Sequence, residues 1–249
     1  MNGTGHRSDA AHPVTGRLPA DRFHGRVIKT LRTALGAAAV TGSLLVLLPA
    51  SAAGAAAGPG TFAAPEDRVT VDVATVNGSG CRPGSATVAV AEDNSAFTVT
   101  YSEYLAMAGG TSAPTDARKN CLLSLLVHVP QGYTYAVAQV DYRGFGSLQE
   151  GAIGTQKASY YFQGMKQTEY RTHKFRGKLD DNWQASDTTG IEALVFAPCG
   201  EQRNFNINTE LRAEVGASDP AKTSYMALDS TDGSINSVYH FSWKKCPAR

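Results

Sequence analysis

All four cysteines of this chain, Cys81, Cys121, Cys199 and Cys246, fall after a leader with the layout of an export signal. Together these two facts restrict the fold more than anything else in the sequence. Residues 1–57 hold a basic segment (Arg26, Lys29, Arg32), an apolar run from Ala34 to Leu48 and the small-residue stretch "PASAAGAAAG", which is the three-part pattern of a secretory signal peptide. The apolar run is broken by Gly36, Gly42 and Ser43, and a membrane-spanning helix needs roughly twenty predominantly apolar residues. The leader is therefore expected to be cleaved, after Ala52 or after Ala57, leaving no membrane segment and a secreted, extracellular protein. No Arg-Arg pair precedes the run, so general secretion is expected. The polar stretch from Met1 to Gly25 has no apolar period, and a complete signal begins at Val27, a candidate translation start.

An even number of cysteines in an exported chain predicts two disulfides. A nucleophilic cysteine needs a lowered pKa and a nearby base, whereas Cys121 opens the apolar run "CLLSLLVHV". A zinc site is not expected either, because no two cysteines or histidines stand at the close spacing of a zinc knuckle. Four cysteines allow three pairings. The expected one is Cys81 with Cys121 and Cys199 with Cys246, since each sits at the start or end of a predicted strand and the pairs are successive. Closing loops of this length stabilises by about 4 kcal/mol each.

The chain divides into the signal peptide (1–57), a flexible Gly/Ala/Pro linker (58–67) and one domain (68–249). Within the domain, period-two alternation dominates. Val69, Val71 and Val73 share a face, and "ATVAVAEDNSAFTVTYSEY" reads as a hairpin turning at Glu92 to Ser95. From Cys121, Leu123, Leu125, Val127 and Val129 share one face while Leu122 and Leu126 take the other, the mark of a central buried strand. "YTYAVAQVDY", "KASYYFQG", "YRTHKF", "IEALVFAP", "NFNINTELRA" and "SVYHFSWKKC" read as further strands, and Leu105 to Ala117 reads as a long loop. About nine or ten strands without interleaved helices predict an all-β antiparallel sandwich, jelly-roll or immunoglobulin-like.

The segments "GSGCRPGSATVAVAEDNSAFTVTYSEY", "RKNCLLSLLVHVPQGYTYAVAQVDYRGFGSLQEG", "YYFQG" and "FAPCGEQRNFNINTELRA", in this order, resemble the secreted domain of unknown function 4360 of bacteria and fungi. The resemblance runs from about Val69 to Cys246, departing where Arg82 separates Cys81 from Pro83. It implies secretion and a four-cysteine β-rich domain, and carries no activity.

Without residues 1–57, which contribute six basic and two acidic side chains, 17 basic and 20 acidic ones remain, a formal charge of −3. With no basic stripe, nucleic acid is not an expected partner. Serine-hydrolase, metalloprotease, P-loop and dinucleotide motifs are absent. No catalytic residue, metal or cofactor is expected. The expected role is non-catalytic binding of a polysaccharide, a cell-envelope component or a secreted protein. The alternative is a polysaccharide-active hydrolase using a carboxylate pair drawn from Asp141, Glu150, Asp180, Asp181 and Glu192. Trp183, beside Asp180 and Asp181, is the residue expected to stack on a sugar ring, with Tyr161 and Arg143 as further candidates. His128, His173 and His240 fall on different strands and are expected to act separately. "DSTDGS" from Asp229 is faintly like a calcium loop but lacks its acidic twelfth ligand and fits a turn better.

Overall fold

A computed structural model describes residues 63–228 and 235–247. The leader and the "DSTDGS" stretch lie outside the described residues. The strands are β1 (Thr70–Asn77), β2 (Ala86–Val90), β3 (Ala96–Tyr101), β4 (Leu105–Ala108), β5 (Arg118–His128), β6 (Tyr133–Leu148), β7 (Ile153–Phe162), β8 (Glu169–Arg176), β9 (Leu179–Thr188), β10 (Phe205–Glu214), β11 (Ser224–Ala227) and β12 (Ser237–Lys245). Every pairing is antiparallel. The fold is the expected all-β sandwich of two antiparallel sheets. No helix among the described residues is long and apolar enough to cross a membrane.

One sheet has the order β1-β5-β10-β7-β8. Its interior strand β5, between β1 and β10, buries Cys121, Leu123, Leu125 and Val127 toward the other sheet, as its alternation predicts. The second sheet is organised by β6, whose sixteen residues serve three partners. On one edge β12 pairs along Tyr133–Tyr142 and β11 follows along Phe145–Ser147; on the opposite edge β9 pairs along Gln139–Leu148. β3 and β2 extend the sheet beyond β12, and β4 beyond β11.

Between the sheets lies an aromatic core. Phe97 stacks on Tyr239 at 4.8 Å, and Tyr135 packs edge-on against Phe162 and Phe241. Asn94, at φ 54° in the β2–β3 turn, fastens the start of the domain. Its amide oxygen accepts from the Val69 N–H and its amide nitrogen donates to the Pro65 and Asp67 carbonyls. The disulfides join Cys81 to Cys121 and Cys199 to Cys246, with Cα separations of 5.3 and 5.8 Å.

Three segments differ from their sequence reading. The expected loop from Leu105 begins as strand β4, held by β11 before Gly109 and Gly110, both at positive φ, turn the chain away. "IEALVFAP" forms a short 3-10 turn at Ile191–Ala193 and then an irregular stretch. It bonds to β6 only around Ala197, through the Tyr135 carbonyl and the Thr134 hydroxyl. "LDDNWQASDT", whose polarity suggests a solvated loop, is strand β9, because ten successive residues pair with β6.

Candidate functional site

The β8–β9 edge, where the two sheets are linked by residues 177 and 178, assembles the most concentrated polar chemistry inside the sandwich. Alternation along β8 turns Glu169, Arg171, His173 and Phe175 inward and leaves Tyr170, Thr172, Lys174 and Arg176 outside. On β9 the inward residues include Trp183, Ala185 and Asp187. Trp183 fixes this strand. A Cβ at Gly144 would lie 2.1 Å from the indole, so the glycines of "YRGFG" open the hole that the ring fills. Phe175 covers it at 4.8 Å.

Asp187, with a side chain only 6% exposed, receives His173 Nε2 at 2.9 Å and lies 3.8 Å from Arg171 Nε. Burial pushes its carboxyl above the usual aspartate range, although His173 and Arg171 pull the other way. Arg171 donates to Glu169 Oε2 at 2.9 Å and to the Thr189 hydroxyl at 3.3 Å, and Thr189 donates to the same Glu169 oxygen at 3.0 Å. These groups border a small groove of about 40 Å³, whose lining includes Tyr160, Tyr161, Phe162 and Phe205. Beneath it, burial drives the Tyr160 hydroxyl well above the ordinary tyrosine range.

A second carboxylate cluster lies on the outward face of β6, β9 and β12. Asp141 accepts from Ser186 at 2.5 Å, from Gln139 at 2.9 and 3.1 Å, and pairs with His240 Nε2 at 2.8 Å. Desolvation opposes ionisation here, but the hydrogen bonds from Ser186, Gln139 and His240 outweigh it and hold the carboxyl below its usual range. The order is serine, aspartate, histidine. Nucleophile activation needs the histidine in the middle, so this arrangement orders a surface and does not generate an alkoxide. His128 pairs separately with Asp72 at 2.9 Å and Gln202 at 2.8 Å.

The residues singled out in the sequence are not brought together. Trp183 is 4% exposed and packed on both Phe175 and the Gly144 backbone, so it offers no free face to a sugar in this conformation. Asp180 and Arg143 lie on the outer face of the β6–β9 pair, while Asp181 takes the inner side and accepts from the Asn182 N–H. Tyr161 alone among them lines the groove. Glu150 and Glu192 are exposed on connecting segments, and neither borders it. Glu169, Arg171 and Asp187 escaped the sequence reading. The only signal for the first two was the period-two spacing of charged residues in "EYRTHKFR", which does not reveal which face is inside.

Comparison with known proteins adds a family. The model described as "Domain of unknown function (DUF4360)" matches residues 67–246. The chain belongs to this family. A relative from Arthroderma benhamiae, described as "Uncharacterized secreted protein", is 30% identical over 180 residues, covering 72% of this chain and 73% of its own. Among solved structures, the enzymatically active domain of bacteriophage CBA120 tailspike protein 4 aligns with 72% of this chain at 11% identity and a TM-score of 0.23. This chain spans only 19% of the tailspike chain, and a likeness that slight carries no argument. The DUF4360 domain therefore has to be read from its own geometry.

Proposed function

We propose that this DUF4360 protein is an exported, disulfide-stapled binding module that contacts a saccharide unit at the mouth of the groove at the β8–β9 edge. Export is supported by the leader's three-part layout, by two disulfides and no free cysteine, and by the secreted description of the fungal relative. One observation carries the binding reading. Glu169, Arg171 and Thr189 form a connected donor and acceptor set beside the Tyr160 ring. A sugar needs both kinds of contact, with hydroxyls meeting the polar set and ring C–H groups meeting an aromatic wall.

The rival, a carboxylate-pair hydrolase, would use Glu169 and Asp187. One guanidinium lies against both acids and Asp187 is nearly closed to solvent, which fits a fixed binding set better than proton exchange with a substrate. The test is calorimetric titration of the oxidised protein with a panel of soluble oligosaccharides, repeated with Thr189→Ala. Binding of a member of the panel, weakened about tenfold in the variant, about 1.4 kcal/mol, is the expected result. Absence of heat with every sugar overturns the proposal. Release of new reducing ends during the titration would favour the hydrolase.

A further inference from the structure

The outward face of the five-stranded sheet carries a different feature. Across β5, β10, β7 and β8, one row of register partners reads Arg118, Arg212, Thr155, Lys174, and the row two residues along reads Asn120, Glu210, Lys157, Thr172. Residues two apart on a strand share a face, so the cations of both rows stand together, with Arg176 next along β8. Glu210, its side chain 13% exposed, is the hub. Arg118 reaches it at 2.6 Å, Lys157 at 3.6 Å and Arg212 at 3.7 Å. Arg212 also meets Glu214 at 3.5 Å.

One carboxylate cannot neutralise three cations. Lys174 and Arg176 have no ion-pair partner among the described residues. This face thus holds five cations against Glu210 and Glu214, on a domain whose residues 58–249 are net negative. The next rows along the same strands are uncharged and rich in hydrogen-bonding groups. Asn208, Ser159 and Tyr170 are neighbours, followed by Tyr161, which pairs with the buried Asn206. Tyr170 is 76% exposed, the most exposed large apolar side chain described.

We infer that this face binds an acidic polysaccharide, a polyhydroxylated chain bearing carboxylate or phosphodiester groups. The cations meet its charges, and the amide and tyrosine rows meet its hydroxyls and ring faces. The sequence shows no basic stripe because the five cations come from four strands that meet only in the folded sheet. A surplus of three charges is small beside the roughly six to ten phosphate contacts of strong nucleic-acid binders, so a saccharide polyanion is the better match. The inference is independent of the groove, whose Arg171 points between the sheets.

The test is affinity electrophoresis of the oxidised protein in gels containing polygalacturonate, glycerol-phosphate teichoic acid or neutral dextran. Retardation is expected with an acidic polymer and not with dextran, and the responding polymer identifies carboxylate or phosphodiester recognition. The double variant Lys157→Glu/Lys174→Glu, with an unchanged unfolding midpoint, should weaken binding at least tenfold. Glu214→Lys should tighten it severalfold, a gain that misfolding cannot produce. Added salt should weaken it, because exposed charges are screened. Unchanged mobility in both acidic polymers overturns the inference. So does equal displacement by duplex DNA at matched charge, which would make the partner a nucleic acid.

Discussion

Asp141 and Asp187 lie on directly paired strands, β6 and β9, but face opposite sides of the sheet and sit in opposite electrostatic settings, although each has a histidine Nε2 within 2.9 Å. Asp141 faces outward and is hydrogen-bonded by Ser186, Gln139 and His240, so its carboxyl titrates lower than usual. Asp187 faces the space between the sheets, where desolvation exceeds what His173 and Arg171 return, so its carboxyl titrates higher. The same pair of residue types therefore acts in two ways. On the open face the pair ties three strands together at little cost, whereas between the sheets it holds a charge that the fold does not favour. A cost of that kind persists where a site uses the group, which is why the groove and not the Asp141 cluster is the better candidate for ligand contact.

The largest test of this contrast is removal of each histidine. His173→Ala leaves Asp187 with only Arg171, at 3.8 Å, and should destabilise the oxidised protein by about 2 kcal/mol, the cost of stranding a buried acceptor. His240→Ala leaves Asp141 with Ser186 and Gln139, and in a solvent-screened setting should cost under about 1 kcal/mol. Urea unfolding midpoints compare the two directly. Equal losses would break the contrast. A smaller effect is expected on the open face alone: Ser186→Ala removes the shortest bond to Asp141 and should cost about 1 kcal/mol. It should also move the carboxyl upward in a carbon-detected NMR titration, and an unmoved titration would mean that His240 dominates.

How far these elements could be read from the sequence depended on distance along the chain. The β2–β3 hairpin and β5 were legible because alternation and turn residues are local, and the disulfides pair the successive cysteines as expected, although Cys121 lies inside β5 and Cys199 in a turn before β10. β9 was not legible. In "LDDNWQASDT" only Leu179, Trp183 and Ala185 are apolar, and the strand exists because Gly144 and Gly146, far upstream on β6, leave room for the indole. Asp187 was hidden for a different reason. Its burial is produced by β8, which belongs to the other sheet and meets β9 only in the folded domain. The groove and the basic face are both products of strand order, and strand order is not written in any local period.

The smallest and most specific test is the pH dependence of stability, where the two aspartates predict opposite slopes. An unfolded aspartate titrates near 3.9. Asp187 titrates above that in the folded protein, so between 3.9 and its folded value the native state binds more protons than the unfolded one. Unfolding free energy then falls as pH rises through that window. Asp141 titrates below its unfolded value, so its stabilisation is complete above about pH 3.9 and is lost as pH falls through its folded value. Stability profiles of Asp187→Asn and Asp141→Asn, each subtracted from the parent, should therefore slope in opposite directions. The Asp187 difference should decline with rising pH and the Asp141 difference should climb. Two climbing curves would mean that His173 and Arg171 more than compensate the burial of Asp187. The groove would then lose the feature that distinguishes it from the open face, and the search for a ligand site would move to the cationic face of the other sheet.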